Sequence, residues 1–167
     1  MNISFRGNTG YKPVTSGSAN IVYYLTNLGT PVSNVTSTLV TGGYYTAFSG
    51  GVITAPTFLL TTDDLTAPAS GMAKIRFVNL SPDAQTVTAY AQTTAFATGV
   101  TSQSASAFFP VTAGAYEIKA GDPSNISTVI SAGQQTLAAG KIYTVMLTGT
   151  ATGSGVSGLQ LTMLNNN

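Results

Sequence analysis

The segment TLAAGKIYTVM, residues 136–146, repeats the segment TLVTGGYYTAF, residues 38–48, at an offset of 98 between their first residues. In both copies a Thr-Leu pair is followed by a glycine, Gly42 or Gly140, and then by a Tyr-Thr pair that opens an apolar run. Glycine in this place is typical of a turn that needs a positive φ. The two segments therefore predict the same turn and the same following strand in two parts of the chain.

A second pair of segments lies ahead of the first pair in the same order. PVTSGSANI begins at Pro13 and PVTAGAYEI begins at Pro110, an offset of 97. Because the two offsets differ by one residue, the matches predict one structural repeat that is present twice.

Short β-branched and aromatic runs between clusters of Gly, Pro, Asn and Ser predict an all-β protein with little helix. In AKIRFVNL, which begins at Ala73, apolar and polar residues alternate except at Val78, as in a strand with one buried face. The predicted strands are Ala19–Leu25, Val35–Val40, Tyr44–Ser49, Thr57–Thr62, Ala73–Leu80, Thr86–Ala91, Ser106–Val111, Tyr116–Ala120, Ile126–Ile130, Ile142–Thr148 and Leu159–Met163.

The two repeats begin differently. AKIRFVNLSPDAQTVTAYA, residues 73–91, precedes the shared segments of repeat two and has no counterpart in repeat one. Repeat one is therefore predicted to lack its first two strands, which leaves an unpaired edge and an uncovered apolar face. Either a segment ahead of Met1 or a strand from another chain would fill the gap. The predicted organisation is a partial sandwich repeat over 1–66, a linker over 67–72 and a complete repeat over 73–167.

Charged residues make up 7% of the chain, whereas soluble domains average about 25%. A net charge of +1 without clusters of Lys and Arg excludes binding to a nucleic-acid backbone. Copies with so little charge repel one another weakly. Two interpretations stay open, namely an exported domain with a neutral, hydroxyl-rich surface and a subunit whose faces are buried in an assembly.

Membrane and export signals are absent from the sequence. No apolar run approaches the roughly 20 residues that span a bilayer, so no transmembrane segment is predicted. MNISFRGN lacks the apolar stretch of a signal peptide, so an exported protein would be represented here by its mature form.

The composition predicts that the protein is not an enzyme. Without His or Cys there is no Ser-His-Asp triad, no thiolate nucleophile and no zinc site of the usual type. The adjacent Asp63 and Asp64 should point to opposite sides, and their spacing matches no calcium loop. Asp83 and Asp122 lie in turn sequences, and Glu117 should face solvent. No catalytic residue, cofactor or metal is predicted.

TTDDLTAPASGMAKIRFVNLSPDA, residues 61–84, together with PVTAGAYEI and TLAAGKIYTVMLTG, closely resembles the domain of unknown function 4397 family. The resemblance implies an immunoglobulin-like β-sandwich. It also implies export to the cell envelope, since members are commonly tandem-domain surface lipoproteins of Bacteroidetes-type bacteria. It implies no activity. Members normally carry an equivalent of RFVNLSPDA in the first repeat as well, and this chain does not.

The first functional hypothesis is an extracellular structural or adhesive protein of the bacterial cell surface. Its low charge and incomplete first repeat favour an oligomer or filament built by β-strand complementation. The partner would be a copy of the chain or another envelope protein. The predicted interface residues are the apolar and edge positions of repeat one, namely Ile21, Tyr23, Leu25, Tyr45 and Phe48.

The second hypothesis is a modular surface domain that binds a glycan or a protein through loops at the end of the sandwich. Two adjacent tyrosine pairs, Tyr23-Tyr24 and Tyr44-Tyr45, motivate it. In a strand one member of each pair should face the core and the other should point outward, where its ring could stack on a sugar.

Overall fold

The computed structural model describes residues 6–24, 29, 31–52, 54–122 and 129–167. These residues form an all-β fold of several antiparallel sheets, as expected for β-sandwich repeats. The strands are β1 (Gly17–Tyr24), β2 (Pro31–Leu39), β3 (Tyr45–Val52), β4 (Ala55–Thr62), β5 (Met72–Asn79), β6 (Thr86–Ala91), β7 (Thr94–Thr101), β8 (Ser104–Ala105), β9 (Phe109–Thr112), β10 (Gly114–Gly121), β11 (Ile130–Leu137), β12 (Ile142–Thr148) and β13 (Gln160–Asn165), with one 3-10 turn at Gly155–Ser157.

The chain divides into two compact units, Met1–Asp63 (unit 1) and Asp64–Asn167 (unit 2). Unit 1 contains two antiparallel hairpins, β1–β2 and β3–β4, which touch each other through β2 and β4. Unit 2 contains two larger sheets. One has the order β11-β10-β6-β7, and the other has the order β13-β12-β5, with β8 and β9 both pairing with β5.

The core of unit 2 lies between its two sheets. β5 and β12 run parallel at the centre of one sheet, and the opposite sheet contributes apolar residues of β6, β7 and β10. Fully buried side chains of this core include Ile75, Phe77, Ile118, Leu137 and Val145. In each strand every second side chain points to the same face of its sheet. The apolar side chains on the inner faces of the two sheets therefore pack against each other.

β5 is buried on both faces, so the prediction of a solvent-facing side for this strand is wrong. Arg76 is 1% exposed and Val78 is 0% exposed. The Nε atom of Arg76 donates to the Thr144 hydroxyl at 2.9 Å, and its guanidinium lies 4.6 Å from the centre of the Phe108 ring. These two contacts, one a hydrogen bond and one a cation–π contact, allow a charged side chain to be buried here.

The predicted strands match the observed ones most closely at β6 and β12, whose bounds agree at both ends. In place of the predicted strand Ser106–Val111 there are two shorter strands. β8 ends just before it, and β9 covers its second half and extends by one residue. β7 was not predicted. Of the predicted strand Ile126–Ile130, residues 126–128 lie outside the described residues, and β11 begins at Ile130.

Candidate functional site

The hairpin β3–β4 of unit 1 corresponds to the hairpin β12–β13 of unit 2. The glycine ahead of each first strand has the same conformation, with φ of 76° at Gly42 and 77° at Gly140. The Tyr45 hydroxyl accepts a hydrogen bond from the backbone N–H of Val40 at 3.0 Å, and Tyr143 accepts one from Ala138 at 3.0 Å. The two copies of the sequence repeat therefore form the same turn, the same tyrosine hydrogen bond and the same following strand.

The hairpin β1–β2 corresponds in the same way to β10–β11. Gly17 lies opposite Leu39 at the end of the first hairpin, and Gly114 lies opposite Leu137 at the end of the second. Leu39 is 6% exposed and Leu137 is 0% exposed, so both leucines close the apolar interior at this end. Unit 1 thus reproduces the part of unit 2 that runs from β10 to β13.

The two units differ in the neighbours of these hairpins. In unit 2, β12 pairs with β13 on one side and with β5 on the other, and β10 pairs with both β11 and β6. Among the described residues of unit 1, β3 pairs only with β4 and β1 pairs only with β2. Each first strand of unit 1 therefore has one edge with no strand beside it in the described part of the chain.

The backbone groups at the β3 edge can be assigned from the hydrogen-bond pattern. The carbonyl of Tyr44 accepts a bond from the N–H of Asp63, at 2.8 Å, so Tyr44 points its backbone groups toward β4. Because this direction alternates along an antiparallel strand, Tyr45, Ala47 and Ser49 point theirs away from β4. We call these three residues the acceptor edge. In unit 2 the corresponding carbonyl of Leu147 accepts from Leu80, at 2.9 Å.

Two side chains on the first strands of the unit 1 hairpins are less buried than their counterparts in unit 2. Ile21 is half-buried, whereas its counterpart Ile118 is 0% exposed. Ala47 is exposed, whereas its counterpart Val145 is 0% exposed. Among the described residues, unit 1 therefore has no strands in the places of β5, β6 and β7, and these two positions are smaller or more accessible than in unit 2.

The structure places the predicted interface residues in three situations. Ile21, Tyr23 and Tyr45 are half-buried and lie on the two strands with open edges. Phe48 is 5% exposed, and its position in β3 alternates with Tyr45 and Ala47, so its side chain lies on the opposite face and is not accessible in the way the sequence predicted. Leu25 lies outside the described residues.

The tyrosine pairs behave as the alternation predicts. Tyr24 is 53% exposed and Tyr44 is 48% exposed, while Tyr23 and Tyr45 are half-buried. Tyr44 packs edge-on against Tyr11 with ring centres 5.7 Å apart. The outward-pointing ring of Tyr44 therefore takes part in an aromatic contact within unit 1.

A buried polar cluster around Asp63 lies beside β3, and sequence reasoning missed it. Asp63 is 5% exposed. Its Oδ2 atom accepts hydrogen bonds from the hydroxyls of Tyr11 and Thr46, and its Oδ1 atom accepts one from Thr61 at 3.0 Å. The signal that could have found this cluster is the Tyr-Thr pair that both repeats share, since Thr46 corresponds to Thr144.

Asp64 has different partners from Asp63. Lys74 donates to its Oδ2 atom at 2.7 Å, and the Thr66 hydroxyl donates to its Oδ1 atom at 2.6 Å. Bonds from Lys74 first, and then from Thr66, lower the pKa of Asp64 to about 2. In the same way Lys119 holds the pKa of Glu117 below its ordinary value. Each of these carboxylates is paired within its own unit.

The described residues contain no group of three or more His, Cys, Asp or Glu side chains close enough to hold a metal ion. The described residues of unit 2 form a cleft with a volume of about 240 Å³. Its walls include the rings of Phe96, Phe109 and Tyr116.

The fold defines a class of protein, an all-β chain of tandem sandwich-type repeats, and in the first repeat the described residues leave one edge of β1 and of β3 without a neighbouring strand. The chain belongs to the family described as Domain of unknown function (DUF4397), whose model matches residues 1–90 and again residues 78–167. No curated protein matches the chain. Within the described part of the chain there is no helix with the length and apolar character needed to cross a membrane.

Proposed function

We propose that this protein is a non-enzymatic structural or adhesive subunit of the bacterial cell surface that assembles by β-strand complementation at unit 1. The observation that carries the proposal is the difference in pairing between β3 and β12. β12 is held by a strand on each side, whereas β3 has a strand on one side among the described residues. A strand from a second copy of the chain, added at the acceptor edge, would give unit 1 the pairing that unit 2 has within itself.

Two further properties support assembly. The net charge of +1 gives little repulsion between copies. The half-buried Tyr45 of β3 provides apolar surface that a strand added at the acceptor edge would bury, at roughly 25 cal/mol for each Å² removed from water. Backbone hydrogen bonds would orient the added strand along β3. Burial of this apolar surface would supply much of the free energy of binding.

The absence of His and Cys from the sequence supports a non-enzymatic role. Two acidic residues, Asp63 and Asp83, accept hydrogen bonds that stabilise the fold. Asp63 accepts three hydroxyl bonds inside unit 1, and Asp83 accepts bonds from the Ser81 hydroxyl and the Ala151 backbone. These contacts fix loops and strand ends, which is the ordinary role of such residues.

The test is the mass of the native particle, measured by size exclusion with light scattering and by electron microscopy. We expect oligomers or filaments well above the chain mass of 17.0 kDa. Ala47→Pro removes one N–H of the acceptor edge without removing a β3–β4 bond, and it should shift the chain to monomers. Ala47→Val keeps that N–H and is the matched control. A wild-type monomer at high concentration, or undiminished assembly of Ala47→Pro, would contradict the proposal.

A modular binding domain is the second candidate function. The cleft of unit 2 favours it, since the accessible rings of Phe109 and Tyr116 line a surface where a sugar or an apolar group could stack. Its volume is below the range of about 300–1,000 Å³ that is usual for small-molecule sites. Retention on polysaccharide that is lost in Phe109→Ala would support this candidate over assembly.

A further inference from the structure

The cleft of unit 2 is a gap between the two sheets of that unit. Strands β5 and β9 line it from one sheet, and strands β6, β7 and β10 line it from the other. Its floor is closed and apolar, since Ala91 is 3% exposed and Phe96 is 6% exposed. Its mouth is accessible, since Phe109 is 38% exposed and the side chains of Thr94 and Thr112 are exposed as well. A ligand in the cleft would therefore rest on an apolar floor and meet polar groups at the mouth.

The directions of the two accessible rings, Phe109 and Tyr116, are set by the fold. Phe109 lies opposite Ile75 in the pairing of β9 with β5, so its side chain is on the face of the sheet that carries the buried Ile75. The Tyr116 hydroxyl donates to the carbonyl of Thr112 at 2.9 Å. The Tyr116 ring also passes beside Gly114, where a Cβ atom would lie 3.4 Å from it. The aromatic surface is thus preformed, and little conformational entropy is lost when a ligand stacks on it.

The chemistry of the walls favours a neutral ligand with hydroxyl groups. All of the described residues that line the cleft are uncharged. An ion would lose water there without gaining a partner of opposite charge, a cost that a neutral ligand does not bear. The hydroxyls of Thr94 and Thr112 can both donate and accept hydrogen bonds at the mouth.

A sugar ring combines these properties. A pyranose carries C–H groups on its two faces and hydroxyl groups around its rim, so a face can stack on an aromatic ring while the rim bonds to hydroxyls. The volume of about 240 Å³ is below the range of about 300–1,000 Å³ that is usual for small-molecule sites. One sugar ring, rather than a long segment, therefore fits the cleft.

Unit 1 does not carry the two rings at the corresponding positions. At the offset of 97, Phe109 corresponds to Lys12 and Tyr116 corresponds to Ala19. Strand β1 forms with Ala19 in that place and pairs with β2 as β10 pairs with β11. The ring of Tyr116 is therefore not needed to form the hairpin, which leaves it available for binding.

We propose that the cleft of unit 2 binds a neutral sugar ring of a polysaccharide, which stacks on Phe109 and Tyr116. The hydroxyls of Thr94 and Thr112 bond to the rim of the ring. This inference rests on the second candidate function, a modular binding domain, and goes beyond it by assigning the ligand class and the residues. It does not depend on strand complementation, since all the residues that line the cleft belong to unit 2.

The test is frontal affinity chromatography of the full chain on immobilised neutral polysaccharides, namely a β-glucan, an α-mannan and a galactan, with polygalacturonate as the acidic comparison. We expect retention on at least one neutral support and none on polygalacturonate. Tyr116→Ala and Phe109→Lys copy the residues of unit 1, and each should weaken binding at least about fivefold because a stacked ring is lost. A thermal melt checks that both variants fold.

Two exposed threonines of β7 provide a matched pair of variants whose folding is not at risk. Thr94 lines the cleft, whereas Thr98 of the same strand is not among the residues that line it. Thr94→Ala should weaken binding about two- to tenfold, because one hydrogen bond is lost. Thr98→Ala should bind as wild type does.

A wild-type chain that is retained on none of the neutral supports would overturn the sugar inference, while the particle mass would still decide strand complementation on its own. Retention that persists unchanged in Tyr116→Ala, Phe109→Lys and Thr94→Ala would leave a binding domain standing and overturn the assignment of its site. Retention on immobilised poly-L-proline alone, lost in the same variants, would make the cleft a peptide site and would also overturn the inference.

Discussion

Unit 1 and unit 2 share four strands in the same order, yet within the described residues only unit 2 closes a core around them. In both units the turn glycine, the tyrosine hydroxyl bond and the strand pairing of the hairpins are alike. The burial is not alike, since Ile118 is 0% exposed and its counterpart Ile21 is half-buried. The hairpins are therefore specified by their own local sequence, and burial is supplied by the strands that flank them.

The comparison also separates two kinds of sequence change. Thr46 and Thr144 are the same residue in the same place, and so are Tyr45 and Tyr143. Asp63 differs from its counterpart Asn166, which bonds to the Thr144 hydroxyl, and Ala47 differs from Val145, which pairs with Phe77 of β5. The residues that hold the hairpin are the same in both units, while these two positions carry a charge and a smaller side chain in unit 1.

The largest expected difference between the units is in their response to a cavity. Ile118→Ala should reduce the free energy of unfolding of unit 2 by about 2–5 kcal/mol, because the side chain is buried on all sides. Ile21→Ala should cost unit 1 less than about 1 kcal/mol in the unassembled chain, since the side chain is already half in water. Residue-level hydrogen exchange, measured over a series of urea concentrations, gives the free energy of unfolding of each unit separately. Equal losses would show that unit 1 has a closed core.

The turn glycines should respond equally in the two units. Gly42→Ala and Gly140→Ala each place a side chain at a φ near 77°, which costs about 1–2 kcal/mol. No atom lies within 4 Å of the added methyl group in either turn, so only the backbone contributes. The same exchange measurement reports both losses. A loss at Gly140 more than about twice that at Gly42 would mean that the turns, and not only the flanking strands, differ between the units.

The smallest expected difference concerns acid. Lys74 lies in β5, a strand that has no counterpart among the described residues of unit 1, and it lowers the pKa of Asp64 from 3.8 to about 2. Because the folded value lies below the unfolded one, the pair stabilises unit 2 above about pH 4, and this contribution is lost as the pH falls toward 2. The Asp64 side chain is about half exposed, so solvent screens the pair and the loss should be below about 1 kcal/mol.

Urea unfolding between pH 5 and pH 2, for wild type and Asp64→Asn, measures that contribution. The variant should lose less stability than wild type over this interval, in the exchange of unit 2 and not of unit 1. An identical acid slope in the two proteins would show that the Lys74–Asp64 bond contributes nothing to folding in solution.

The sequence predicted the fold class and most of the strands because the pattern is local. The repeated Thr-Leu-x-x-Gly turn and the period of two are visible in single segments. β7, Thr94–Thr101, was missed for two physical reasons. The turn before it is made at Gln92, a non-glycine residue with φ of 58°, and Gly99 interrupts the strand with φ of 64°.

The side-chain cluster at the candidate site could not be predicted in the same way. Arg76 and Thr144 are 68 residues apart in sequence, and Tyr11 and Asp63 are 52 residues apart. No local pattern shows that these side chains meet, because the contacts are created by strand pairing and packing. The sequence proposed Phe48 as one of the accessible interface positions of repeat one, and Phe48 is buried.

The most direct test of the account is hydrogen exchange at the backbone amides of the acceptor edge, Tyr45, Ala47 and Ser49. It should be measured in dilute chain and at a concentration where particles form. The account predicts rapid exchange at these amides in the dilute chain and strong slowing on assembly, with Tyr143 and Val145 of β12 slow in both samples. Rapid exchange at the acceptor edge in the assembled particles, or equal protection in the two samples, would contradict it.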